Sequence, residues 1–165
     1  MRIQLHGRAP ESIVDGPGFR YAIFTQGCPH GCAGCHNPAS HDPSGGYARD
    51  TGELLAEIAQ NPLLRGITLS GGEPFLQSEA CLALARGAHA GGLDVWLYTG
   101  YTLEALLQEN DPGRMALLHE TDVLVDGRFV EALFSHELRF RGSSNQRILN
   151  IKESLAQGKA VFWQD

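Results

Sequence analysis

Residues 21–38 read Tyr21-Ala22-Ile23-Phe24-Thr25-Gln26-Gly27-Cys28-Pro29-His30-Gly31-Cys32-Ala33-Gly34-Cys35-His36-Asn37-Pro38. The first five are mostly apolar, with Ile, Phe and Thr of high strand propensity, and they predict a buried strand. The residues that follow cannot continue it. Glycines, prolines and three cysteines spaced Cys28-x3-Cys32-x2-Cys35 make a loop that runs to about Gly46. A loop of that length in a compact domain is usually functional. Close-set thiolates are soft ligands for zinc or for an iron–sulfur centre. In a reducing compartment they read as a metal site before they read as disulfides.

Beyond this stretch, short apolar segments alternate with helical ones. A helix is expected over Thr51–Gln60, with Leu54, Leu55 and Ile58 on one face and Pro62 past its end. A strand at Ile67–Ser70 ends in Gly71-Gly72, and a helix at Glu79–Ala90 stops at Gly91-Gly92. A strand at Val95–Tyr98, a helix from Leu103 to about Gln108 and a strand at Asp122–Val125 follow. Val130–Ser135 is read as a short helix, and Arg147–Ile151 and Ala160–Trp163 as two further strands. This alternation predicts an α/β fold with a mostly parallel sheet covered by helices. An eightfold barrel takes roughly 200–250 residues. With 165 residues, a partial, open (β/α) barrel in a single domain spanning 1–165 is the expected form. Ligands of such folds bind at the carboxyl ends of the strands. Glycine and polar residues recur there, at Gly27-Cys28, Gly71-Gly72-Glu73, Thr99-Gly100 and Asp126-Gly127.

The composition is globular, 42% apolar and 19% charged. The formal net charge is −6, and no Lys/Arg run offers a nucleic-acid footprint. No stretch approaches the roughly 18–20 apolar residues of a membrane span, and Met1–Pro10 has no signal-peptide core. A cytoplasmic protein with neither nucleic-acid nor membrane partners is expected.

Three thiolates suit three irons of a cubane and leave the fourth iron open to a small molecule. Glycine and proline between them let the loop wrap and turn backbone N–H groups toward sulfur. A zinc site of the same cysteines with His30, His36 or His41 fits the spacing as well. Cys81 lies in the apolar run Ala80–Ala85 and reads as a small buried hydrophobe. It is too remote for a four-cysteine ferredoxin centre.

The Cys28-x3-Cys32-x2-Cys35 pattern after a first strand resembles the signature of the radical S-adenosylmethionine (SAM) superfamily. Many members carry an aromatic residue before the third cysteine, where this chain has Gly34. The Gly34-Cys35-His36-Asn37-Pro38 version is similar to that of activases of anaerobic ribonucleoside-triphosphate reductase. The resemblance implies a barrel of the radical SAM type and a [4Fe-4S] cluster on Cys28, Cys32 and Cys35. The open iron would bind the amine and carboxylate of S-adenosylmethionine, and one electron would cleave its sulfonium to methionine and a 5′-deoxyadenosyl radical. His36 and Asn37 would lie beside this cofactor, His36 near the adenine. Ser70-Gly71-Gly72-Glu73-Pro74, by itself only a turn, resembles the segment that binds the amino group. There the glycines admit close backbone approach and Glu73 would accept from the ammonium. Thr99-Gly100-Tyr101 matches a loop of the same family.

Asp15-Gly16-Pro17-Gly18-Phe19-Arg20 resembles a motif shared by glycyl-radical-enzyme activases, pyruvate formate-lyase activase among them, and implies that Asp15, Gly16 and Arg20 contact the substrate protein. Asp122–Phe129 and Phe140–Arg147 resemble the reductase activases more than the longer pyruvate formate-lyase type. The role of Phe140–Arg147 stays open, between an anionic ligand and a buried network. The expected function is generation of a glycyl radical on the large subunit of anaerobic ribonucleotide reductase. Reduced flavodoxin or a similar donor would supply electrons, and no catalytic residue is needed beyond cluster and SAM. The alternatives are activation of another glycyl-radical enzyme, a small-molecule reaction such as carboxy-deazaguanine synthesis, and a zinc-stabilised binding module. Little sequence is left over for a lid, so a protein partner is expected to close the site.

Overall fold

A computed structural model describes residues 1–165. Seven strands form one sheet: β1 (Arg2–Ser12), β2 (Arg20–Thr25), β3 (Tyr47–Asp50), β4 (Gly66–Gly71), β5 (Asp94–Tyr98), β6 (Val123–Asp126) and β7 (Arg147–Asn150), in the order β3-β1-β2-β4-β5-β6-β7. The centre β2-β4-β5-β6 is parallel. The pairings β1-β2, β1-β3 and β6-β7 are antiparallel. The expected mostly parallel sheet is therefore corrected to a mixed one with a parallel centre and antiparallel wings. Its edges, β3 and β7, do not pair, so the sheet is open.

Four helices lie between strands, α1 (Thr51–Ala59), α2 (Ser78–Ala90), α3 (Leu103–Glu109) and α4 (Pro112–His119), and α5 (Ile151–Gln157) follows the last strand. Asp50, Thr102, Asp111 and Asn150 each cap a helix by accepting from a backbone N–H of its first turn, which satisfies donors that have no partner inside the helix. The strand period of two sorts residues between faces. Ile23, Ile67, Leu69, Leu97 and Leu124 join Leu54, Leu84, Leu106 and Leu117 of the helices in one core. On the other face Trp96, Val123 and Val125 pack with Phe140 and Trp163 from the C-terminal third. Helices thus cover one face, and irregular chain covers the other. Cys81 is fully buried in the helical core, and burial pushes its thiol far above the ordinary range.

Several elements differ from expectation. β1 and β3 are strands that the sequence did not announce, as α4 and α5 are helices. Val130–Ser135 shrinks to one 3-10 turn at Glu131–Leu133. Ala160–Trp163 contributes only an isolated bridge, Leu149 to Phe162. No helix is long and apolar enough to cross a membrane.

Candidate active site

A cavity of about 300 Å³ opens at the carboxyl ends of the parallel strands, on the face without helices. Cys28, Cys32, Cys35, His36 and Asn37 line it from the loop after β2, Ser70, Gly71 and Gly72 from the end of β4, Thr99 from the end of β5, and Asp15 from the turn before β2. Residues drawn from four separate segments of sequence therefore meet in one place.

The cysteine loop is held by its own backbone. Gly27 N–H donates to Ser40 O (2.6 Å) and Cys28 N–H to His41 O (3.1 Å). The Gln26 amide donates to Ala39 O (2.9 Å) and Asp42 O (2.7 Å). All three thiols are free and half-buried. Burial is the main reason the Cys28 thiol is pushed up. Cys35 Sγ accepts from Asn37 N–H (3.4 Å) and faces His41 Nε2 at 3.3 Å. Gly34 sits at φ +71, and a Cβ there would meet the Glu131 carboxyl at 2.7 Å. An aromatic residue, found here in many radical SAM proteins, would sit in a left-handed conformation that side chains rarely adopt. No group of three His, Cys, Asp or Glu side chains is placed to hold a single metal ion, while the three thiols line one cavity. A soft set of three thiols on an open wall fits an iron–sulfur cluster with one accessible iron.

Glu73 is placed differently from expectation. It is fully buried and does not line the cavity. Oε1 accepts from His30 Nε2 (2.7 Å), Thr99 Oγ1 (2.7 Å) and Gly100 N–H (2.8 Å), and Oε2 from Phe75 N–H (3.0 Å). Buried and off the cavity wall, it is out of reach of a ligand ammonium there. Instead it fastens the cysteine loop to the ends of β4 and β5. Gly72 serves the same junction: its N–H donates to Thr25 O at 2.8 Å, and a Cβ on it would overlap the Gly27 carbonyl.

Arg20 and Gly16 are also corrected. Arg20 is fully buried. Its guanidinium donates to Thr68 Oγ1 (2.8 Å), Pro17 O (3.1 Å), Ile67 O (2.7 Å) and Asp94 Oδ1 (2.5 Å). Gly16 is buried at φ +131, where a Cβ would press on the Arg20 side chain at 2.8 Å. These two residues brace the 15–20 turn against the sheet and offer nothing to a partner. Asp15 remains at the cavity, half-buried, accepting from Ser12 Oγ at 2.5 Å.

A further part of the wall comes from the segment between β6 and β7. Phe129, Phe140, Arg141, Gly142 and Gln146 line it, and Phe129 and Phe134 pack against the His36 ring at centroid distances of 5.0 and 5.5 Å. Sequence reasoning singled out Phe140–Arg147 by resemblance alone. Its Gly, Ser and Asn content is that of any turn, so nothing in it announced a cavity wall. His30, weighed only as a zinc ligand, instead turns its ring to Glu73 and lies edge-on to Tyr101 at 4.7 Å.

Residues 14–149 match the model of a family described as a 4Fe-4S single cluster domain. Among curated relatives, the anaerobic ribonucleoside-triphosphate reductase-activating protein of Vibrio cholerae serotype O1 is 38% identical, over 87% of this chain and 95% of its own length. The proteins of the same name from Salmonella typhi and Escherichia coli strain K12 are 35% and 34% identical, over 91% and 89% of this chain and 100% and 98% of theirs. The chain belongs to the anaerobic ribonucleoside-triphosphate reductase-activating protein family. The solved structure of QueE from Escherichia coli superposes with a TM-score of 0.49 at 22% identity, over 62% of this chain and 54% of that one. Membership of the activating-protein family sets aside the zinc-stabilised module, since the matching domain is a four-iron cluster domain. It also sets aside the pyruvate formate-lyase type, because these relatives carry the reductase name across nearly their whole length.

Proposed function

We propose that this protein is a radical SAM activase that generates a glycyl radical on the large subunit of anaerobic ribonucleotide reductase. Cys28, Cys32 and Cys35 hold a [4Fe-4S] cluster, S-adenosylmethionine fills the cavity beside it, and reduced flavodoxin or a similar donor supplies electrons. The observation that carries this reading is the meeting of three free thiols with the glycine end of β4 in one open cavity. Held by these three cysteines, the cluster would supply the one electron that reductive cleavage of the sulfonium requires.

The chain's residues do the rest. Asn37 N–H and His41 direct hydrogen bonds at the Cys35 sulfur, and such bonds tune a cluster's potential. Ser70–Gly72 bring backbone, unencumbered by large side chains, to the ligand. His36 and Phe129 present rings to the cavity, a surface for an adenine and a barrier to water. Asp15 stands at the entrance on the partner's side. In this reading the sheet is a partial barrel of the radical SAM type, one domain works in a reducing cytoplasm, and neither nucleic acid nor membrane is required.

Anaerobic reconstitution with iron and sulfide, then incubation with S-adenosylmethionine, dithionite and the large reductase subunit, tests the proposal. Deoxyadenosine by chromatography and a glycyl radical by electron paramagnetic resonance are expected. A colourless, zinc-loaded protein that yields neither would overturn it.

A further inference from the structure

Arg141 differs from the other arginines of the chain. Only Arg2, Arg128 and Arg141 lack a carboxylate partner. Arg2 and Arg128 are exposed, where water solvates the charge, but Arg141 is half-buried and lines the cavity. Its Nη1 donates to Ser144 O (3.2 Å) and Gln146 O (2.5 Å). Two carbonyls thus fix the plane of the guanidinium and leave the Nε–Nη2 edge without a protein acceptor. That edge is the fork that takes a carboxylate with two parallel hydrogen bonds. Among the residues lining the cavity it is the only permanent cation.

The backbone beside it is strained in a way that packing accounts for. Phe140 has φ +63, a left-handed conformation that is a genuine outlier for a bulky side chain. Such strain persists only where the surroundings over-determine it, and it gathers at functional sites. Here Tyr98 Oη donates to Phe140 O at 2.6 Å, and the Phe140 ring packs edge-on against Trp96 at 5.4 Å. The turn after it is tied by Gln146, whose Oε1 accepts from Gly142 N–H (3.0 Å) and Ser143 N–H (3.1 Å). The tightened chain at Phe140 sets Arg141 on the cavity wall.

We infer that Arg141 is the recognition residue for the carboxylate of the cavity's ligand, with Tyr98 as its positioning residue through Phe140. This rests on the reading of that ligand as S-adenosylmethionine, whose carboxylate is its only anionic group. One fork matches one carboxylate; no second cation lines the cavity to favour a phosphate.

The test measures equilibrium binding of S-adenosylmethionine and of its decarboxylated analogue to cluster-loaded wild type, R141Q, R141K and Y98F, with iron content and visible absorption as controls. In R141Q the preference for the carboxylated ligand should fall by about ten- to a hundredfold, the size of a lost charge-assisted pair. Affinity for the analogue and iron content should hold. R141K should retain an intermediate preference, and Y98F should lose part of it while remaining folded. Equal weakening of both ligands in R141Q would show that Arg141 merely shapes the wall. Unchanged affinity for both ligands, with a higher concentration of reductase subunit needed for activation, would assign the fork to the partner. Either result overturns the inference and leaves the radical SAM reading standing. Failure of the cluster-loaded wild type to bind S-adenosylmethionine at all overturns both.

Discussion

At the scale of single residues, the largest departures from expectation are Glu73 and Arg20. The sequence presents an acid after two glycines and a basic residue in a turn, which are the chemistries of a ligand site. Nothing local says that Glu73 turns inward to four donors or that Arg20 lies under Trp96 with its charge met by Asp94. Those contacts come from β2, β4 and β5 lying side by side, a long-range fact. The cysteines were legible because their spacing within one loop is itself the chemistry. Alanine at Cys28, Cys32 or Cys35 should abolish iron binding. Cys81→Ala should keep a full complement, at about 1 kcal/mol of stability for the small cavity left behind; iron counting and denaturant unfolding check both. Gly72 yields a sharper expectation than its glycine-rich motif alone. A Cβ there collides with the Gly27 carbonyl, next to Cys28, so Gly72→Ala should lower iron loading as well as ligand affinity. A variant with full iron and weakened ligand binding would mean the glycine serves the ligand alone.

Among the elements, the parallel centre was readable from apolar runs that end in glycine. β1 was not: Arg2-Ile3-Gln4-Leu5-His6-Gly7-Arg8-Ala9-Pro10-Glu11-Ser12 carries polar residues, a glycine and a proline, because much of it lies half-exposed at a wing of the sheet. α4 opens with Pro112-Gly113, which reads as a turn until Asp111 caps it. The helices make one pH-sensitive contact far from the cavity. His89, in the last turn of α2, has Nδ1 2.8 Å from Glu120 and Nε2 2.8 Å from Asp122, with Arg86 also near Glu120 at 3.9 Å. Burial opposes the charge, but the two carboxylates outweigh it and the His89 pKa is raised; the helix C-terminus acts in the same direction. Both ring nitrogens can donate only in the imidazolium. The contribution is therefore complete below the unfolded-state pKa of about 6.5 and is lost as pH rises through the higher folded value. Unfolding of the wild type and of His89→Gln should differ at pH 6 and converge at pH 9. A constant difference across that range would remove the proton from the explanation.

Across the whole molecule, one face of the sheet belongs to helices and the other to the cavity. The sequence suggested that little chain was spare for a lid over the site. Residues between β6 and β7, read as strand ends and a short helix, instead form a wall of the cavity through Phe129, Phe140 and Arg141. Exposed Val14 lines the cavity beside Asp15. With Arg20 and Gly16 withdrawn into the interior, Asp15 is the one of the three expected contact residues left to meet a partner. Asp15→Ala should sustain slow deoxyadenosine formation yet install glycyl radical poorly, so chromatography and electron paramagnetic resonance should diverge. Parallel loss of both would move Asp15 from the partner to the ligand.

The backbone bonds that shape the cysteine loop, Gly27 to Ser40 and Cys28 to His41, involve no sulfur. A zinc finger without its metal is an unfolded chain; this loop carries its own scaffold. Air, which destroys exposed clusters, should therefore strip the site and leave its mould. Oxygen-bleached protein is expected to keep its near-ultraviolet circular dichroism and to regain colour on resupply of iron and sulfide under argon. Injury by oxygen would then be a matter of refilling and not of resynthesis.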